Sequence, residues 1–241
     1  MPEEFQHFAE NYSVLMGLVN FIPVILFAVA GCIMIKSLFS NLKKPFAVMF
    51  CSGVTLGLTA GVFKALWKIL VALNICDFYP LNFMFLPTES LGFVLMGVGL
   101  ISILFDQSHH HDHVIKTNMF IVPVLLIVYE ASPVKLFDGS IIFITMLVIG
   151  EAFIATSMCY LSIKNKKWYC LILFVVSFIA AMVMGAMKPI ARKMDVTLAN
   201  WIEESVNLVA QACLLIGCIL LNKEGFFSFK KVEKKENHQS D

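Results

Sequence analysis

Glu151 is a carboxylate inside an apolar run, and its position demands a chemical reason. It lies 11 residues into a hydrophobic stretch that begins near Ser140. A helix rising 1.5 Å per residue would carry it roughly 16 Å deep, near the middle of a ~30 Å hydrocarbon layer. A charge at that depth costs about 2.5–3.5 kcal/mol on insertion scales, so such a residue faces a cavity or a partner and holds either a proton or a counter-charge. Glu151 therefore reads as a proton-coupling or ligand-binding carboxyl. The plainer alternative is a protonated Glu hydrogen-bonded across helices. Gly150 beside it leaves room for a neighbouring helix or a ligand.

A second set of polar residues occurs twice. Gly61–Lys64 closes one apolar segment and Glu89–Ser90 opens the next; Gly185–Lys188 and Glu204–Ser205 repeat the pattern. Two outer gate pairs follow from it, Lys64 with Glu89 and Lys188 with Glu204. Each carboxylate is expected at a helix start, where the positive end of the helix dipole favours it. The competing reading is ordinary snorkelling of Lys at the membrane surface. Asn207 and Gln211 fall three and seven residues after Glu204, so one helix presents a polar stripe inward. With Glu151 they make up the expected substrate or proton site.

A third cluster, His109, His110, His111, Asp112 and His113, has the imidazole content that suits a loosely bound Zn or Ni ion. The other two His residues, His7 and His238, lie near the termini, so no apolar segment offers a His ligand. A solvated polar loop is the alternative. The seven Cys show no CxxC, and all but Cys76 lie in apolar runs, as small buried side chains do. Nucleotide-binding and esterase motifs (GxGxxG, Walker A, GxSxG) are absent.

The elements that must position these residues are membrane helices. Of 241 residues 59% are hydrophobic and 15% charged, and the apolar runs are long enough to cross a bilayer. The fold class is thus all-α and polytopic, with spans at about Val14–Phe39, Pro45–Leu73, Glu89–Phe105, Val114–Tyr129, Ser140–Ile163, Tyr169–Met187 and Trp201–Leu221. Pro23 marks a kink in the first span. The aromatic, Pro-rich segment Asn74–Pro87 suits the membrane interface, with Thr88 or Ser90 as a cap on the third span. The chain divides into a short acidic N-terminus (1–13, without the basic start of a cleaved signal), a first three-helix unit (14–105), a His-rich loop, linker helix and turn (106–139), a second three-helix unit (140–221) and a charged tail (222–241).

Twelve of the 18 basic residues then fall on one side of the membrane. The positive-inside rule makes that side cytoplasmic, so the N-terminus is outside and the C-terminus inside, in a plasma (cell inner) membrane. The basic turns repeat as well: Lys44 precedes Lys64 by 20 residues, and Lys167 precedes Lys188 by 21. Three helices, a linker and three helices make two parallel repeats about an axis along the membrane normal.

This layout resembles the SWEET and PQ-loop transporters and, more loosely, the seven-helix opsins. The resemblance implies a solute path between the two three-helix halves. No Pro-Gln dipeptide is present, and no Lys lies between Ser205 and Leu221 to form a retinal Schiff base. The His-rich loop is similar to the cytosolic loop of ZIP-type zinc transporters.

The functional expectation is a transporter or channel for a small solute, proton-coupled through Glu151, with the lipid bilayer as its surroundings. A net charge of +1 gives no electrostatic case for a nucleic-acid partner, and homo-oligomers are compatible with the sequence. Two alternatives stand beside this: an intramembrane lipid-modifying enzyme using paired carboxylates, disfavoured because no activated nucleophile accompanies them, and a receptor or partner subunit without transport.

Overall fold

A computed structural model describes residues 12–39, 44–105, 139–191, 194–223 and 225–226. The expected fourth span at 114–129 and the His109–His113 tract lie outside the described residues, as do residues 1–11 and most of the tail. Seven helices carry the described chain: α1 (Val14–Val19), α2 (Phe21–Phe39), α3 (Lys44–Ala72), α4 (Tyr79–Phe105), α5 (Gly139–Lys164), α6 (Trp168–Ala191) and α7 (Val196–Asn222). The first two form one span, so six helical segments among the described residues are long and apolar enough to cross a membrane. Leu15, Ile25, Ile172, Ile179 and Val209 are exposed on the outside of the bundle, an arrangement suited to lipid.

The break between α1 and α2 has a local cause. Ser13 caps α1 by accepting from the Met16 amide (3.1 Å). Pro23 has no N–H for the Val19 carbonyl, and the helix is interrupted at Asn20. The interruption thus lies three residues before Pro23.

The third and seventh spans start earlier than the polar residues suggested. α4 begins at Tyr79, ten residues before Glu89, and includes Pro87 in its interior. Pro80 sits in the first turn, where its missing N–H costs nothing. The aromatic segment is therefore largely helical, and Ser90 is no cap: its hydroxyl donates to the Leu86 carbonyl within α4 and lies 2.7 Å from the Phe143 carbonyl of α5. α7 begins at Val196, capped by Asp195, which accepts from the Leu198 amide (2.9 Å). Glu89 and Glu204 consequently lie two to three turns inside their helices.

The helices close into a ring. α2 packs on α3, α3 on α4, α4 on α5, α5 on α6, α6 on α7, and α7 returns to α2. Contact positions give the directions. Val24 meets Gly61 while Gly31 meets Val54, so α2 and α3 are antiparallel; Gly53 meets Met96 while Gly99 meets Phe46, so α3 and α4 are too. Phe174 lies on Gly217 and the Ser177 hydroxyl donates to the Ala210 carbonyl (2.8 Å), which makes α6 and α7 antiparallel.

Across α4 and α5 the numbers rise together: Ser90 with Phe143, Phe93 with Gly150, Gly97 with Phe153. These two neighbours are parallel. Their approach is as close as backbones allow, since a Cβ on Gly150 would come within 2.5 Å of the Phe93 carbonyl carbon, and one on Gly53 within 2.5 Å of the Gly92 oxygen.

The ring has two unlike halves. One is filled by a continuous apolar cluster that includes Met34, Phe50, Leu100, Leu161, Phe174 and Leu221. Phe226, beyond the end of α7, joins this cluster, and its carbonyl accepts from Asn165 Nδ2 (3.0 Å) in the α5–α6 turn. The other half contains a cavity.

Candidate functional site

The cavity has a volume of about 550 Å³ and draws its walls from all six spans. It takes the early turns of α2, α4, α5 and α7 and the later turns of α3 and α6, as the helix directions require. Pockets of this size hold small organic molecules. Glu151, Asn207 and Gln211 all line it, so the three residues expected to form one site do share one space. Glu151 lies close to halfway along α5, and Gly150 turns its bare face to α4, which aims Glu151 away from that contact.

Both lysine–glutamate assignments meet a more specific arrangement. Lys64 and Glu89 line the cavity together. Lys64 Nζ donates to Asn82 Oδ1 (3.0 Å) and lies 5.1 Å and 5.2 Å from the ring centroids of Trp67 and Phe85. Glu204 forms an ion pair with Lys68 at 2.6 Å, with only 2% and 11% of the two side chains exposed. With its amide nitrogen turned toward Glu204, Asn20 donates to both carboxylate oxygens and accepts from Lys68 Nζ at 2.9 Å. The Lys188 side chain lies outside the described residues.

Lys68, Asn20 and Asn82 are thus site residues that the repeated motif did not single out. A signal for Lys68 existed: it follows Lys64 by one turn on the same face of α3. Asn20 was visible only as a lone amide in an apolar run.

Next to this network, residues before α1 pack on α3. The Tyr12 ring meets Trp67 edge-on at 5.3 Å between centroids, and Trp67 Nε1 donates to Asp77 Oδ1 (2.8 Å). Burial pushes the Tyr12 phenol above its usual pKa, against a lowering hydrogen bond to Asn200 and with smaller raising contributions from Glu203 and Asp77.

Register along the helices divides the cavity by depth. Asn20, Lys68 and Glu204 share one level. Phe27 and Gln211 each lie seven residues further along, about 10 Å deeper at 1.5 Å per residue. Phe27 stacks on Phe93 (centroids 5.8 Å apart), and Phe93 abuts Gly150, which places Glu151 near this deeper level. The Gln211 Oε1 atom is buried there and has no hydrogen-bond partner among the described residues. Glu151 and Glu89 line the same cavity, and Glu151 makes no hydrogen bond or ion pair with a described residue.

Among the described residues no group of His, Cys, Asp and Glu is arranged to hold a metal ion. No protein-family model matches the chain, and no curated protein or solved structure matches it.

Proposed function

We propose that the protein moves a small solute across the membrane through the cavity between its two three-helix halves, with Glu151 as the proton-coupling or ligand carboxyl. The observation that carries this reading is the convergence of charged and amide side chains from five of the six spans on one cavity whose opposite end is filled by apolar side chains. A polar space inside an apolar bundle is costly to maintain unless a polar species enters it. A filled end opposite a cavity is also what alternating access needs in one of its two states.

The finer layout belongs to the same proposal: seven crossings, two parallel repeats, and the N-terminus outside. Parallel neighbours α4 and α5 require the chain to change sides between them, and the 33 residues 106–138 include the apolar run Val114–Tyr129. Taken in ring order, α2, α3 and α4 would correspond to α5, α6 and α7, the order of a duplicated unit. In that correspondence Gly61 would answer to Gly185 and Glu89 to Glu204, all of which line the cavity. The positive-inside rule then places the cavity half outside and the Lys164–Lys167 turn inside.

Proteoliposomes containing a pH-sensitive dye test the coupling. Solute-dependent proton movement is expected with the wild type and absent with Glu151→Gln; equal movement in both would remove Glu151 from the coupling step. The presence of the Glu89 and Glu151 carboxyls in one cavity favours one second reading, an acid–base pair acting on a lipid. Product formation from added phospholipid without vesicle transport would select it.

A further inference from the structure

The two levels of the cavity differ in what they still lack. In the upper level each described cation is engaged within the protein: Lys68 with Glu204 and Asn20, Lys64 with Asn82 and the faces of Trp67 and Phe85. In the lower level the unmatched groups are acceptors. Among the described residues Glu151 has no hydrogen-bond or ion-pair partner, and the buried Gln211 oxygen has no donor. A buried acceptor left unmatched is costly, so both atoms call for N–H or O–H groups from whatever occupies the space. The walls at this depth are the stacked rings of Phe27 and Phe93, with Glu89 one turn above Phe93. Aromatic faces and carboxylates attract the same kind of ligand.

We infer that the lower level of the cavity binds an organic ammonium ion with an apolar, preferably aromatic, body. Its N–H groups would reach the Glu151 carboxylate and the Gln211 oxygen, and its body would lie against Phe27 and Phe93. The ammonium supplies the donors that Glu151 and Gln211 lack at this level; an anion of the same shape would bring only further acceptors to them. This inference rests on the cavity being the solute site.

The test is titration of the full-length protein in lipid nanodiscs at pH 7 with three probes of similar shape: phenethylammonium, 3-phenyl-1-propanol and 3-phenylpropanoate. The ammonium ion should bind about tenfold or more tightly than the other two, the scale of a hydrogen bond to a charged group. Glu151→Gln should remove that preference, and Gln211→Leu should weaken ammonium binding. If the neutral or anionic probe binds as tightly as the cation, or if Glu151→Gln leaves the preference intact, the ligand class is overturned while the cavity remains a binding site. If none of the three binds, the cavity reading falls with it. Should Glu151→Gln fail to fold, the three-probe comparison on the wild type and the Gln211→Leu titration decide the matter.

Discussion

The Lys68–Glu204–Asn20 network is the most strongly constrained group of side chains in the cavity. Both charges are almost removed from solvent and each is satisfied by the other and by one amide. Removing one partner of a buried pair leaves an uncompensated charge, at a cost of about 3–5 kcal/mol, whereas removing both costs much less. Lys68→Met should therefore destabilise the protein by about that amount, and adding Glu204→Gln to it should restore a large part. Thermal unfolding of the two variants in one detergent measures this; additive losses would mean that the pair is not coupled. Glu151 should behave differently. It has no protein partner to orphan among the described residues, so Glu151→Gln is expected to shift stability by less than about 1 kcal/mol while changing function.

At the scale of elements, α3, α4 and α5 depend on glycine at their contacts. Gly53→Leu and Gly150→Leu would each drive a side chain into a neighbouring backbone, which cannot yield as a flexible side chain does. A loss of at least about 1–3 kcal/mol is expected, seen as a lower unfolding temperature. Gly185 provides the contrast. A Cβ there meets nothing within 4 Å among the described residues, so Gly185→Ala should be neutral or gain up to about 1 kcal/mol from helix propensity. Equal losses at Gly150 and Gly185 would contradict the packing described. The N-terminal extension of α4 belongs to this scale as well. Asn82 and Phe85 reach Lys64 only because the helix starts at Tyr79 rather than at Glu89.

For the molecule as a whole, the ring fixes which ends lie together, and a labelling experiment reads the direction. Cys76 is exposed in the turn between α3 and α4, on the cavity side. Asn165 lies in the α5–α6 turn at the opposite end. With the other cysteines replaced, an impermeant maleimide added to intact cells should modify Cys76 and leave an Asn165→Cys variant unlabelled. Labelling of the Asn165 site alone would invert the orientation and turn the cavity to the cytoplasm. The Phe226 ring is buried in the apolar cluster, so Phe226→Ala should loosen the filled end and cost about 3–5 kcal/mol.

Hydrophobic run length determined that the chain is built of membrane-length helices, because satisfying the backbone in lipid leaves helices as the only way to span with such sequences. Composition also made Glu151, Asn207 and Gln211 conspicuous, since polar atoms at that depth are expensive wherever the helices go. Pairing was beyond its reach. Lys64 and Lys68 are one turn apart on the same helix, and only the return of α7 against α2 brought Glu204 and Asn20 to Lys68. Helix starts were misplaced for a related reason: polar and aromatic residues that would end a lipid-facing helix can continue one that faces a cavity. One crossing expected between the third and fifth spans already implied that α4 and α5 run the same way; tertiary structure alone decided that they are neighbours, since that depends on Gly97 and Gly150 meeting the facing backbone, and no local property of either helix specifies it.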